Sequence, residues 1–576
     1  METIAYDEQQ SEAIQNTAQN DDAPQFTRRE TILTMVGVLL VMLLASLDQT
    51  IVSTAMPRII SDLQGIDRYT WVTTAYLLTS TIMVPIYGKL SDLFGRKPIF
   101  LVGVVLFLVG SALCGASQSM TELILFRAFQ GLGAAALMPI AIAVIGDLFS
   151  PRERGKWQGI TGGVFGLSSI LGPTVGGWIT DNATWRWVFY VNLPVGIVAL
   201  LVLIFLMPAL KSKATNARID YIGAALLVLG TVPLMLALTW AGNDYEWLSW
   251  QILGLFAVSL VFLVSFFVYE SVLEKRELQP IIEPSMFKGS IFSVSIAVTM
   301  IISVAMFGCI LFLPLFAQGV LGITATNSGL LLSPLMLSLI ASSVISGLLV
   351  SRFGRYKWVA LLGMAVTIVG ILLLVRLDVH STETDLVLAM IVLGLGLGFG
   401  MSLYTLIVQN SVPNSKIGQA TSSLTFFRQI GASIASAALG SVMLNTYKPA
   451  FHDAIPNDAK LFFQMIDGQA NGAGQKILSG FDNPNILLSE EARQQVSHFF
   501  GQFGAPGTTV YNQVLEAVKV GLTQGIHNLF VISVGLAVVG FILIFFLKEV
   551  PLRTRSKPSA QAVEAADEIV SPVPMH

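Results

Sequence analysis

Asp48 is a lone carboxylate inside the first long apolar segment, in the run Leu47-Asp48-Gln49-Thr50-Ile51-Val52. An ionisable group at membrane depth costs several kcal/mol unless it is paired or used, so its presence marks a functional position by default. The chemistry open to it is the gain and loss of a proton. Arg127 is its natural partner on depth alone. Asp48 lies about nine residues before Pro57, or roughly 13 Å in, and Arg127 about six residues after Thr121, or roughly 9 Å in, so the two share a level. A neighbouring guanidinium favours the charged form of a carboxylate, so relative movement of the two would make proton affinity depend on conformation. A static buried pair that fixes two helices is the alternative reading of the same residues.

Other polar residues in apolar surroundings are weaker candidates. Arg428, in Phe426-Phe427-Arg428-Gln429-Ile430-Gly431, should face the interior, and Gln318, Tyr404, Gln409 and Asn410 could line a pathway. Hydrogen bonding within the helices explains each equally well. His527 reads as a solvated residue at the start of the last span, and Asp220 as the cap of a helix N-terminus. With Asp48 as the sole interior acid, no second carboxylate is available to hold a dication apart from the proton. Cys114 and Cys309 both fall in apolar segments and are expected to be inert buried thiols. No Cys/His metal cluster, nucleophile elbow or phosphate-cradling Gly-Lys-Ser/Thr loop is evident, so neither enzyme activity nor a cofactor is expected.

The elements that must position these residues follow from composition. Apolar residues make up 54% of the 576, charged residues only 12%, and the mean hydropathy is +0.71. Soluble domains carry about 25% charged residues, so the chain reads as an integral membrane protein. A net charge of -3 gives no reason to expect nucleic-acid binding. About fourteen stretches approach the ~20 apolar residues that a helix needs to cross ~30 Å of hydrocarbon. They are placed at 32–55, 71–89, 98–117, 122–146, 157–180, 186–207, 220–241, 251–270, 291–314, 328–350, 358–376, 386–408, 418–444 and 527–547. Their long, non-alternating runs exclude a β-barrel and leave an all-α bundle.

Basic residues orient the spans. Lys89, Arg96, Lys97, Arg152, Arg154, Lys156, Lys211, Lys213, Arg218, Arg352, Arg355 and Lys357 fall in alternate loops, so these loops and both termini are assigned to the cytosol. Residues 1–30 and 551–576 read as cytosolic tails, the first of them disordered. Residues 445–526 form a long polar segment outside. Apolar spacing in Lys460-Leu-Phe-Phe-Gln-Met-Ile and from Glu491 to Phe500 suggests short amphipathic helices there. This segment could cap an outer vestibule, dock an envelope partner or be a plain solvated loop.

The chain also repeats itself. Gly88-Lys-Leu-Ser-Asp92-Leu-Phe-Gly95-Arg96 aligns with Gly347-Leu-Leu-Val-Ser351-Arg-Phe-Gly354-Arg355 at an offset of 259 residues, which also carries Gly172-Pro173, Gly176 and Gly177 onto Gly431-Ala432, Ala435 and Ser436. Two six-helix halves are expected, at 31–210 and 290–550, with two inserted helices in 211–289. Duplicated halves around a midplane site are the usual layout of secondary transporters. In helix five, Gly172, Pro173, Gly176 and Gly177 should share one face, extended by Gly162, Gly163 and Gly166, and Pro173 should bend the helix. Such a surface lets a neighbouring helix pack closely.

These residues carry a resemblance. Gly88-Lys-Leu-Ser-Asp92-Leu-Phe-Gly95-Arg96-Lys97 resembles the loop signature of the major facilitator superfamily, and Leu125-Phe-Arg127-Ala-Phe-Gln130-Gly131-Leu-Gly133 its helix-four signature. Gly172-Pro173-Thr-Val-Gly176-Gly177 resembles its antiporter signature, and Leu47-Asp48-Gln-Thr50-Ile-Val-Ser-Thr54-Ala-Met-Pro57 the helix-one motif of the fourteen-span drug:proton antiporters. The resemblance covers residues 30 to 555. It implies a major-facilitator bundle that exports hydrophobic or amphipathic, cationic drugs in exchange for protons across the cytoplasmic membrane, as a monomer driven by the proton gradient. It further implies that the Gly88, Asp92, Gly95, Arg96, Lys97 loop latches the cytosolic side against the start of helix thirteen near Lys416 to Gly418. The second copy, with Ser351 in place of the acid, should latch weakly or not at all. The helix-five seam should seal against leak from the outer side. A dedicated exporter of an endogenous metabolite or lipid, and a non-transporting membrane scaffold, are the alternatives.

Overall fold

Without water to satisfy backbone groups, an apolar chain closes its hydrogen bonds within helices. The computed structural model describes residues 27–63, 68–208, 218–242, 244–323, 332–469, 473–482 and 490–550, and these are almost wholly helical. The first six long helices are α1 (Arg28–Leu63), α2 (Tyr69–Phe94), α3 (Arg96–Ala116), α4 (Met120–Leu148), α5 (Pro151–Asn182) and α6 (Trp187–Leu206). Two more, α7 (Tyr221–Trp240) and α8 (Trp250–Lys275), precede α9 (Ser290–Gly319), α10 (Ser333–Phe353), α11 (Lys357–Val375) and α12 (Glu383–Asn410). α13 is built of Ile417–Ile434, a π-helical turn at Ala435–Leu439 and Gly440–Ala454. Three short helices, α14 (Asn457–Gln469), α15 (Ala473–Gly480) and α16 (Glu490–Gly501), lead into α17 (Gly504–Phe545).

Local sequence sets several boundaries. Ser119 caps α4, and Ser150 with Glu153 forms a capping box at the start of α5. Gly95, at φ 92°, makes the sharp break between α2 and α3 that a residue with a Cβ rarely adopts. Gly354, at φ 70°, ends α10 at the equivalent place in the repeat.

Eleven helices among the described residues are long and apolar enough to cross a membrane. α2, α5 and α13 fall outside that set because glycine, serine and threonine line their faces, yet each packs lengthwise against apolar helices. Among the described residues, fourteen long helices therefore build the bundle. The packing repeats with the sequence. α2 lies along α4, α4 along α3, and α1 along α5 and α6; likewise α10 lies along α12, α12 along α11, and α9 along α13 and α17. The two sets meet where α5 crosses α10 and α2 crosses α13. α7 and α8 pair on the side, α7 touching α2 and α13, while Leu260, Val261, Val264 and Val268 of α8 are exposed as a lipid-facing surface requires.

Two boundaries differ from the hydropathy reading. α13 runs on to Ala454 and α17 starts at Gly504, making α17 42 residues, or ~63 Å, twice the hydrocarbon thickness. Their extensions bury Tyr447 and Phe451 against Gly521. One apolar stripe suffices for that, so the mean hydropathy stays too low to register as a span. His527 accordingly lies inside α17, with Nδ1 2.9 Å from the Val375 carbonyl oxygen, and does not begin the helix. Phe462 and Phe463 of α14 pack their rings on Phe500 of α16, in an aromatic cluster continuous with the core of α13 and α17. Both cysteines are free and buried.

Candidate functional site

Asp48 sits midway along α1 with no solvent exposure, and Arg127, on α4, is as deeply enclosed. Arg127 donates from Nη1 to Asp48 Oδ2 at 2.7 Å. The other carboxylate oxygen accepts two amides: Gln130 Nε2 at 3.0 Å and Asn192 Nδ2 at 2.8 Å. One carboxylate thereby ties α1 to α4 and α6. Asn192 also donates to Ser111 Oγ at 3.0 Å, and Ser111 to the Phe189 carbonyl at 2.9 Å, which brings in α3. Arg127 donates again to Gln130 Oε1 at 2.8 Å and lies 4.1 Å over the Tyr76 ring of α2. Its Nε has no acceptor. Burying a charge pair is tolerable only when hydrogen bonds satisfy the remaining valences, which this network nearly achieves.

A second constellation closes the bundle at the end carrying the α2–α3 turn. Asp92 accepts from the backbone N–H groups of Gly418 at 3.1 Å and Gln419 at 2.7 Å, so a carboxylate caps the N-terminus of α13 from across the molecule. Arg96 Nη1 is 2.5 Å from Asp92 and its Nε 2.7 Å from Asp147 at the end of α4. Arg96 also donates to Ser91 Oγ at 2.7 Å. A Cβ on Gly88 would overlap Ser422, and one on Gly418 would overlap Arg96. Lys97 is not part of this contact. It donates to the carbonyls of Ile204 and Met207, at 2.8 and 2.6 Å, and so caps the C-terminal end of α6.

The repeat-related crossing of α5 and α10 is made by small residues. Gly155 and Gly347 meet backbone to backbone, Gly159 approaches Val344, and Gly162 approaches Ser343. Small size does here what Asp92 does at the other crossing.

The α5 glycines divide into two sets. Gly172 abuts Thr50 and Gly176 abuts Ile51, both on α1, and Thr50 Oγ1 donates to the Ser168 carbonyl at 3.2 Å. Gly162 and Gly166 face Ser343 and Ile340 on α10 instead. The single continuous face expected from spacing is thus two faces. Pro173 is exposed, and a Cβ on Gly177 would meet nothing within 4 Å, so neither belongs to the seam. In α13, a Cβ on Gly431 would lie 2.8 Å from the Met300 carbonyl oxygen of α9, as the repeat requires.

A family model described as Major Facilitator Superfamily matches residues 38–436. The chain belongs to this superfamily. It is 38% identical over 547 residues to "Multidrug transporter protein MdtP" of Bacillus subtilis (strain 168), covering 93% of this chain and 97% of that relative. It is 34% identical over 542 residues to "Multidrug resistance protein 3" of the same organism, covering 94% and 100%. Among solved structures, the human organic anion transporter MFSD10 superposes with a TM-score of 0.57 at 13% identity, over 90% of this chain and 100% of that one. The proton:xylose symporter XylE superposes at 0.56 and 14%, over 93% and 98%. At such identities the likeness is one of fold.

Within this superfamily bundle the remaining expected residues lie on α9, α12 and α13, apart from Asp48. Gln409 is buried and donates from Nε2 to the Ile142 carbonyl of α4 at 3.1 Å and to Thr421 Oγ1 of α13 at 3.0 Å, bridging the two helix sets. Tyr404 and Asn410 are buried, each with an oxygen lacking a partner, while Gln318 and Arg428 are half-buried. Sequence reasoning missed Asn192, Ser111 and Tyr76 at the Asp48 network, and Asp147 and Gln419 at the crossing. Gln130 stood three residues after Arg127 on the same helical face, a legible signal. Asn192 offered only a lone amide at the head of an apolar run.

Proposed function

We propose that this protein exports hydrophobic or amphipathic, cationic drugs across the cytoplasmic membrane in exchange for protons, with Asp48 as the proton carrier. The buried Asp48–Arg127 pair carries the reading. As a carboxylate, Asp48 accepts from Arg127, Gln130 and Asn192 together. A proton on Oδ1 displaces one of its two amide donors, and a proton on Oδ2 removes the charge that holds Arg127, so protonation loosens the network from either side. Because those bonds join α1, α4 and α6, protonation is coupled to helix packing. The Gly172–Thr50 seam between α5 and α1 lies beside the same helix and moves with it.

The Asp92 and Gly155–Gly347 contacts support a state closed at one end. In the proposed orientation that end is cytosolic, both termini are cytosolic, and the opposite end is where protons enter. Inward return needs Asp92 to leave Gly418 and Gln419 and the Gly155–Gly347 contact to part, as rocking of the two halves would do. One proton falling through 100 mV supplies about 2.3 kcal/mol for that cycle. The names of the two Bacillus relatives support drugs as the substrates.

The test is transport in proteoliposomes with an imposed pH gradient. Native protein is expected to exchange substrate for protons, and Asp48→Asn to lose gradient-driven transport while still folding. Movement of substrate and protons in the same direction would overturn antiport, and gradient-driven transport retained in Asp48→Asn would remove Asp48 from the proton path.

A further inference from the structure

The inserted helices bring two acids together, Asp220 and Glu270, so Asp48 is not the sole interior carboxylate. Glu270, near the end of α8, has no solvent exposure. Its Oε2 accepts from the Ile281 backbone N–H at 2.9 Å, but its Oε1 is buried without a donor. Asp220, which caps α7 through a 2.8 Å bond from Gly223 N–H to Oδ1, has its own Oδ2 buried without a donor. The two unsatisfied oxygens converge. A Cβ on Gly223 would strike both Asp220 Oδ2 and Glu270 Oε1, so the two oxygens face each other across a single glycine. Two buried acceptors facing each other are repulsive when both are charged, and a single proton between them satisfies both.

The pair also holds something. Ile281 belongs to the segment joining α8 to α9, and that segment lies on the latch. Gln419 Nε2 donates to the carbonyls of Pro280 at 3.2 Å and Ile281 at 2.7 Å, Lys89 Nζ donates to Gln279 Oε1 at 3.0 Å, and Lys416 pairs with Glu283. Gln419 is the same residue whose backbone N–H is held by Asp92.

We propose that Asp220 and Glu270 form a proton-binding site, sharing one proton, and that this proton pins residues 276–283 against the α2–α13 latch. The proton comes from water at the latch end, forms an O–H bond on one carboxyl group and is accepted by the other, leaving the pair with one negative charge. Its loss sets two charges face to face, Glu270 turns away, and the Ile281 N–H loses its acceptor. The charged and titratable groups around the pair are Lys89 from α2, Tyr269 from α8 and Arg276 just past its end. Lys89 acts on Glu270 through its charge and gives one of its three N–H donors to Gln279. The site is distinct from Asp48 and stands whether or not antiport does.

Infrared spectroscopy of the purified full-length protein at pH 7 tests the shared proton. Native protein and Asp48→Asn are expected to show a protonated-carboxyl C=O band that both Glu270→Gln and Asp220→Asn lose, since each introduced amide donates to the remaining carboxylate. A band unchanged by both variants, or absent from the native protein at pH 7, overturns the proposal. Hydrogen–deuterium exchange, corrected for intrinsic rate, tests the consequence. Protection of 276–283 should fall several-fold in the native protein as pH is raised and stay level in Glu270→Gln. Equal pH dependence in the two proteins would show that the pair does not hold the segment. Neither readout depends on transport.

Discussion

At the scale of single residues, Asp48 shows how one carboxylate can join three helices. Arg127 and Asn192 stand 79 and 144 residues from it in the chain, yet both donate to it within 2.8 Å. Arg127→Ala strands the carboxylate without a cation in a fully enclosed site, and removing one partner of a buried pair costs about 3–5 kcal/mol. Thermal unfolding in detergent should therefore show a large fall in Tm for Arg127→Ala. Asn192→Leu takes one of two donors from Oδ1 and should cost about 1–3 kcal/mol, with a correspondingly smaller fall. Asp48 and Arg127 were legible because charge is rare in apolar runs and helical rise converts sequence position into depth. Asn192 and Ser111 were not, since a lone amide or hydroxyl in a span most often bonds within its own helix.

Among the elements, α5 turns two sets of glycines to two different neighbours. Gly172 and Gly176 fit α1, and Gly155, Gly159, Gly162 and Gly166 fit α10. Gly172→Val should therefore impair folding or transport, whereas Gly177→Val, in open space, should leave both near native. Comparable losses in both variants, read by expression and transport, would contradict this division. Gly347→Val drives a side chain into the Gly155 backbone and should keep the latch end from closing, seen as raised maleimide labelling at Ser343→Cys. Small residues at close spacing were visible in the sequence. The identity of the helix that each face meets was not, because periodicity fixes a face and says nothing of who occupies it.

For the whole molecule, the closed end rests on two unlike crossings, one ionic at Asp92 and one steric at Gly155 and Gly347. Asp92→Asn keeps the size of the side chain and removes its charge from the α13 N-terminus. It should shift the population toward opening at this end, again read as labelling at Ser343→Cys, while an unchanged labelling rate would leave closure to the glycines alone. At the opposite end, Phe500→Asp should expose α14–α16 to limited proteolysis, since Phe500 is the ring on which Phe462 and Phe463 of α14 pack. The amino-acid sequence by itself determined the class of fold, the positions of most helices, the internal repeat and the Asp48–Arg127 level. Each of these rests on periodicity, hydropathy or spacing along one chain. Only the tertiary structure decided that Gln130, Asn192 and Ser111 complete the Asp48 network, that Lys97 caps α6, that α5 has two seams and that Asp220 faces Glu270. Those are contacts between helices far apart in sequence, and their geometry exists only once the bundle has packed.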